Sequence, residues 1–205
     1  MSVMVNKFFS LCFSLLLLIG VAGTAAIAQN QEQAIRSMLE QRDREIKSVL
    51  GNKTTFTQQQ REQLKDLING IIDFEAMGQA ALGPHWNNLT SDQRVEFIDV
   101  FSEIVRSQSL ADLGIYQTPV TYKSITVNGN KAQVVTEVTY KDVPTRVDYM
   151  MGFRNNQWRV EDIVLDGVST AEGYARSFQS VIRKKGFDSL MASLNKKLEK
   201  VTAAK

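Results

Sequence analysis

Apolar residues recur at helical spacing through the first half of the chain. Between Ile35 and Leu50 they fall at Ile35, Met38, Leu39, Ile46, Val49 and Leu50, one stripe of a helix. Gly51-Asn52 stops it. Thr57 is placed to cap a second helix with Leu64, Leu67, Ile68, Ile71 and Ile72 on one face. Asp73 caps a third, Phe74 to Leu82, which ends at Gly83-Pro84. Thr90-x-x-Gln93 is a capping box and opens a long helix faced by Phe97, Ile98, Phe101, Ile104 and Val105.

The period changes from helical to alternating near Pro119. Thr121 to Val127 is β-branched and aromatic, and Asn128-Gly129-Asn130 signals a hairpin. In the next strand Ala132, Val134, Thr136, Val138 and Tyr140 share one face. Gln133, Glu137 and Thr139 share the other, with Val135 the exception. A turn is expected at Asp142-Val143-Pro144, then a third strand with Val147, Tyr149, Met151 and Phe153 on one face. Trp158, Val160 and Val164 recur at even spacing in a fourth strand, and by the same parity Asp162 points inward and needs a hydrogen-bond partner. Asp166-Gly167 breaks that strand, and Ser169-x-x-Glu172 is a capping box that starts a helix carrying Tyr174 and Phe178 on one side. Phe187, Leu190, Met191, Leu194, Leu198 and Val201 stripe a last helix. The pattern predicts an α+β fold: a four-stranded curved antiparallel sheet packed on one face by about six to seven helices, enclosing an apolar pocket. In outline it is NTF2-like or cystatin-like.

The N-terminus stands apart. Lys7, the apolar run Phe8 to Val21 and Ala26-Ile27-Ala28 read as a secretory signal peptide over residues 1–28, cut after Ala28. Residues 29–205 are then one domain: a mostly helical half over 29–118, the sheet over 119–166 and C-terminal helices over 167–205. Cys12 is the only cysteine, so removing the leader leaves no thiol and no disulfide. An exported, cysteine-free protein of this size suits a Gram-negative periplasm. Charge is unevenly spread. Residues 29–182 carry −4, while residues 183–205 carry +5, a basic helical end suited to an anionic membrane surface or an acidic partner. No aromatic-basic interleaving points to nucleic acid.

Candidate chemistry is sparse. His85 is the only histidine, lies between helices beside Trp86 and has no nucleophile signature with it. One His and no Cys leave carboxylates alone for a metal, without calcium-loop spacing. Asp73 and Glu75 read as helix-start residues. Glu161 and Asp162 are neighbours on a strand, so they are expected on opposite faces. The enzyme reading that survives is a small periplasmic enzyme with an apolar pocket, using His85 or Asp162 as acid/base.

Two clusters of residues carry a family resemblance. Asp73-Phe-Glu-Ala-Met77, Ala80-Ala-Leu-Gly-Pro-His-Trp86, Gln93-Arg94-x-x-Phe97 and Phe101 form the first. Val147-Asp148-Tyr149, Trp158-x-Val160-x-Asp162, Asp166-Gly-Val-Ser169, Tyr174 and Phe178 form the second, followed by Gly186-Phe187-Asp188-x-Leu190. In order and spacing these resemble the toluene-tolerance family, the periplasmic phospholipid carriers of the Mla pathway. The resemblance implies a non-enzymatic, monomeric shuttle without cofactor, its cargo a bound phospholipid. Its implied partners are an inner-membrane MCE-domain/ABC transporter complex and an outer-membrane lipoprotein–porin complex, and its role is outer-membrane lipid asymmetry. With the face parity, it marks Phe74, Met77, Phe97, Phe101, Val105, Val134, Val138, Val147, Tyr149, Met151, Val160, Val164, Val168, Tyr174 and Phe178 as the lipid-binding wall. Gly78 and Ala81 are expected to leave room for the tails.

Overall fold

The computed structural model describes residues 19–203, with side chains from residue 28 onward. Most of the expected leader lies outside the described residues. The first helix, α1 (Ile19–Leu50), runs through the expected cleavage point and ends at Gly51. Helix α2 (Gln58–Asn69) starts at the Thr57–Gln60 capping box, and α3 (Phe74–Leu82) starts where Asp73 accepts from the Ala76 N–H at 2.9 Å. A 3-10 turn, Gly83–Asn88, carries His85 and leads to α4 (Ser91–Ser109), opened by the Thr90–Gln93 box. A second 3-10 turn, Leu113–Gln117, precedes the sheet.

The strands are β1 (Thr121–Asn128), β2 (Lys131–Tyr140), β3 (Val143–Arg154), β4 (Gln157–Leu165) and a two-residue β5 (Val168–Ser169). They form one antiparallel meander in chain order. The short β5 is one strand more than the pattern predicts. Helices α5 (Thr170–Lys185) and α6 (Phe187–Ala203) complete the chain, making six α-helices among the described residues. None of them is long and apolar enough to cross a membrane.

Two boundaries differ from the sequence pattern. The β2–β3 turn sits at Lys141-Asp142, both with positive φ, so Val143 and Pro144 already belong to the ladder. Two-residue hairpins favour this left-handed pair because its twist matches the strands. Helix α2 stops at Asn69, so Ile71 and Ile72 leave its face. They run instead beside β4, where the Val160 N–H donates to the Ile71 carbonyl and the Asp73 N–H to the Val160 carbonyl, each at 2.8 Å. That contact satisfies part of an edge that would otherwise be open.

Helices meet the sheet at its edges: α1 lies along β1, and α3 and α5 lie on β4. Helix α4 packs on α3 and α6 in the outer layer. Its approach to α3 depends on Gly78, since a Cβ there would lie 2.5 Å from Ile98 Cδ1 and 3.0 Å from Phe97 Cε1. The room expected at Gly78 is therefore filled by α4, and Ala81 is fully buried in the same packing.

Candidate functional site

Sheet register sorts the expected wall into rows. Val127, Ala132, Met151 and Val160 form one row, Ile125, Val134, Tyr149 and Ile163 the next, and Tyr122, Thr136, Val147 and Leu165 the third. The first row sits under the helices in a close-packed cluster with Phe74, Met77, Phe97, Phe101 and Phe178. Phe97 and Phe101 stack at 5.4 Å, Phe101 meets Tyr174 edge-on at 5.1 Å, and Tyr174 lies 5.3 Å from Phe178. Val105 and Tyr174 are half-buried against this cluster. A smaller cluster holds Ile46, Leu50 and Leu64, with Leu110, Leu113 and Tyr116 beside it.

Val138 and Val147 are buried yet belong to neither cluster. Tyr149 is half-buried against the main cluster and Tyr116 against the smaller one. The buried apolar residues thus fall into two clusters, with Val138 and Val147 in neither. Burial pushes the Tyr149 and Tyr116 phenols above their ordinary value, and Tyr116 lies near enough to Tyr149 for its charge to add to the effect. Tyr122 is raised by burial first and by the same Tyr149 neighbour second. Of the five tyrosines, only Tyr140 and Tyr174 hydrogen-bond to another side chain among the described residues. The hydroxyls of Tyr116, Tyr122 and Tyr149 have no such partner among the described residues, and none of the three side chains is fully buried.

A groove of about 460 Å³ opens between α4, α5 and α6, and Phe101, Tyr174 and Phe178 of the expected wall line it. Ile104, Gly173, Leu190, Leu194 and Lys197 complete much of it. Tyr174 is fastened there by its hydroxyl, which donates to Gln108 Oε1 at 2.7 Å. A second hollow, about 560 Å³, lies between α1 and the β3–β4 hairpin and is lined by Arg42, Arg159, Asn156 and Trp158 among others.

Two expected wall residues face elsewhere. A β-bulge at Glu161 shifts the β3–β4 register, pairing Met151 with Val160 but Met150 with Asp162. Past the bulge parity reverses, so Ile163 pairs with Tyr149 and packs on the core, while Val164 pairs with Asp148 on the outer face. Val168, in β5, is 60% exposed. Ile163 was hidden from sequence reasoning because its strand reads as unbroken alternation.

The bulge also overturns the opposite-face expectation for Glu161 and Asp162. Both carboxylates lie on the outer face, yet they do not converge. Glu161 pairs with Lys131 and Arg154 over Gly152. Asp162, expected to point inward, instead anchors the start of α5. Its Oδ1 accepts from the Ile163 and Ala171 N–H groups, each at 2.9 Å, and its Oδ2 from the Ser169 hydroxyl at 2.5 Å. Ser169 Oγ in turn accepts from the Glu172 N–H at 3.0 Å, the one half of the expected capping box that forms. These scaffold donors occupy the carboxylate an acid/base role would need. His85 is half-buried in its 3-10 turn beside buried Trp86. No group of three potential metal ligands occurs among the described residues.

On the outer face Asp148 is only 6% exposed. Arg146 holds it through two bonds of 2.8 Å, and Gln133 donates at 3.0 Å. The Arg146 bonds, then Gln133, hold its carboxyl below the ordinary aspartate value against burial.

Known proteins share this architecture. A family model described as MlaC protein matches residues 24–196. The intermembrane phospholipid transport system binding protein MlaC of Haemophilus influenzae is 19% identical over 130 residues, covering 60% of this chain. That match spans 61% of the relative's own length. A phospholipid-binding protein from Ralstonia solanacearum, solved in complex with a phospholipid, aligns with a TM-score of 0.69. The two chains are 23% identical, and the alignment covers 83% of this chain and 98% of the other.

Proposed function

The chain belongs to the MlaC family, and on that premise we propose that it carries phospholipid through the periplasm. The observation that supports this most is the apolar inner face of the sheet, where Ala132, Val134, Val138, Val147, Met151 and Val160 are all buried. A phospholipid's two chains of roughly 15 methylenes would cost about 24 kcal/mol to expose to water, at ~0.8 kcal/mol per methylene. A carrier crossing an aqueous compartment must therefore cover them, and the concave face of the sheet with its helical roof is the surface available. The headgroup can remain in water at little cost, so selectivity for its chemistry is expected to be weak. In this reading the inward members of the wall, from Phe74 through Phe178 but without Val164 and Val168, cover the tails, and Ile163 joins them.

Within the same reading the protein is a monomer that exchanges lipid between an inner-membrane MCE-domain/ABC transporter complex and an outer-membrane lipoprotein–porin complex, preserving outer-membrane lipid asymmetry. The leader expected from the sequence and the absence of cysteine after Cys12 support the periplasmic setting.

Solvent extraction of the protein purified from cells, followed by mass spectrometry, tests the proposal. Phospholipid is expected in the extract, and delipidated protein should take it up again from liposomes. Val147→Arg should block uptake while the fold melts cooperatively, because an unpaired charge on the apolar inner face of the sheet is unfavourable. No co-purifying lipid together with no uptake would end the carrier reading. Unchanged loading of Val147→Arg would remove Val147 from the wall.

A further inference from the structure

Two guanidinium groups meet at the end of α2 with no carboxylate to balance them. Arg42 of α1 donates to the Leu67 carbonyl at 2.9 Å, and Arg159 of β4 donates to the Gly70 carbonyl at 3.0 Å. Gly70 lets Arg42 come this close, because a Cβ there would stand 3.3 Å from Arg42 Nη1. Both side chains are half-buried, and neither forms an ion pair among the described residues. Capping accounts for part of this, since the C-terminal end of a helix carries about half a negative charge. Two full positive charges exceed it, and like charges held together are unfavourable without a counter-ion. Donors are left over as well. Of the five N–H groups on each guanidinium, Arg42 commits one and Arg159 two, the second to Gln157 Oε1 at 3.2 Å.

Both arginines line the hollow of about 560 Å³ between α1 and the β3–β4 hairpin, and no Asp or Glu lines it. Asn30 and Gln31 line it from α1, and Asn156 and Gln157 from the hairpin, so its other polar side chains are neutral amides that donate and accept. Trp158 supplies an apolar wall, 8% exposed and with its ring 5.2 Å from that of Phe153. The volume falls in the range of small-molecule sites.

We propose that this hollow binds a small organic acid, its carboxylate held by Arg42 and Arg159 and its apolar body against Trp158. The planar fork of a guanidinium matches a carboxylate, and each bond so made is charge-assisted. The ligand supplies the counter-charge that the fold leaves out, and the amides orient the rest of it. None of these residues belongs to the lipid-binding wall, so the site is separate from the cargo and stands whether or not the carrier reading does.

Phenylsuccinate, a dicarboxylate with one aromatic ring, is the probe. It is titrated into the protein as purified from cells, followed by calorimetry and by NMR of the indole N–H groups. The chain has two tryptophans, and the Trp158 signal should shift while that of Trp86 stays. Arg42→Gln and Arg159→Gln should each weaken binding about tenfold. Arg159→Lys should weaken it less, because it keeps the charge and loses only the fork. The phospholipid content of every variant should equal that of wild type. The indole measurement needs wild type alone, so it decides the matter even if a variant folds poorly. No heat and no Trp158 shift at millimolar phenylsuccinate would overturn the site. So would undiminished affinity in the double glutamine variant, or inorganic phosphate bound as tightly as phenylsuccinate. Loss of phospholipid from the arginine variants would make the hollow part of the cargo site and overturn a separate ligand. An acidic peptide that binds where free acids do not would assign the hollow to a protein partner and equally overturn it.

Discussion

Replacing Asp162 with alanine should destabilise the protein severely without touching any wall residue. The carboxylate accepts from two backbone N–H groups at 2.9 Å and from the Ser169 hydroxyl at 2.5 Å. Each bond contributes about 1 kcal/mol net, and bonds to a charged group rather more. The charge at the α5 N-terminus adds about 0.5 kcal/mol through the helix dipole. Asp162 is half-buried, so water can reach some orphaned donors, and the total loss is about 3 kcal/mol. With a urea slope of about 2 kcal/mol per molar, the unfolding midpoint should fall by ~1.5 M. Asp162→Asn keeps the acceptor oxygen and can donate to Ser169, so it should lose about 1 kcal/mol and ~0.5 M. Paired urea titrations followed by circular dichroism measure both shifts. A midpoint for Asp162→Ala indistinguishable from wild type would refute the anchoring role and reopen the acid/base reading of this residue.

Three further outcomes follow from the same geometry. Burial raises the phenol pKa values of Tyr116, Tyr122, Tyr149 and Tyr174, so their contribution to stability is complete below pH ~10 and is lost as pH climbs through the folded values. Absorbance at about 295 nm should therefore show these tyrosines ionising only with unfolding, and a simple titration of all five near pH 10 would contradict their burial. Arg146 lowers the Asp148 pKa, so that stabilisation is present above pH ~4 and disappears as pH falls through the folded value. Wild type should exceed Asp148→Asn in stability at neutral pH, with the gap closing at strongly acidic pH, and a gap independent of pH would count against the ion pair as its source. Gly78→Ala should cost about 1–3 kcal/mol, because Ile98 and Phe97 already occupy the space, and thermal melting at wild-type temperature would show that α4 can retreat.

Much of this molecule is legible in its sequence. Helix starts at Thr57, Asp73, Thr90 and Ser169 are local events, each decided by one side chain reaching an amide three residues on. The hairpins and the faces of β2 and β3 follow from alternation within single strands. Several of the large apolar groups that cluster, Phe97, Phe101 and Phe178 among them, were readable from period, because burial of a stripe is a property of the stripe. What the sequence determined, then, was the elements and which side of each seeks cover.

Tertiary structure decided which side covers which, and where cover is incomplete. The Glu161 bulge exists only as a mismatch between two paired strands, so Val164 and Ile163 exchange faces with no mark in the β4 pattern. Ile71 and Ile72 read as helix face but serve the edge of β4, which lies nearly 90 residues away in the chain. Gly78 and Gly173 look alike in sequence. One is filled by Ile98 and Phe97 of α4 and the other faces open space. Whether apolar surface meets apolar surface or a gap depends on the distance between elements, and that distance is set by packing across the whole fold rather than by any one segment.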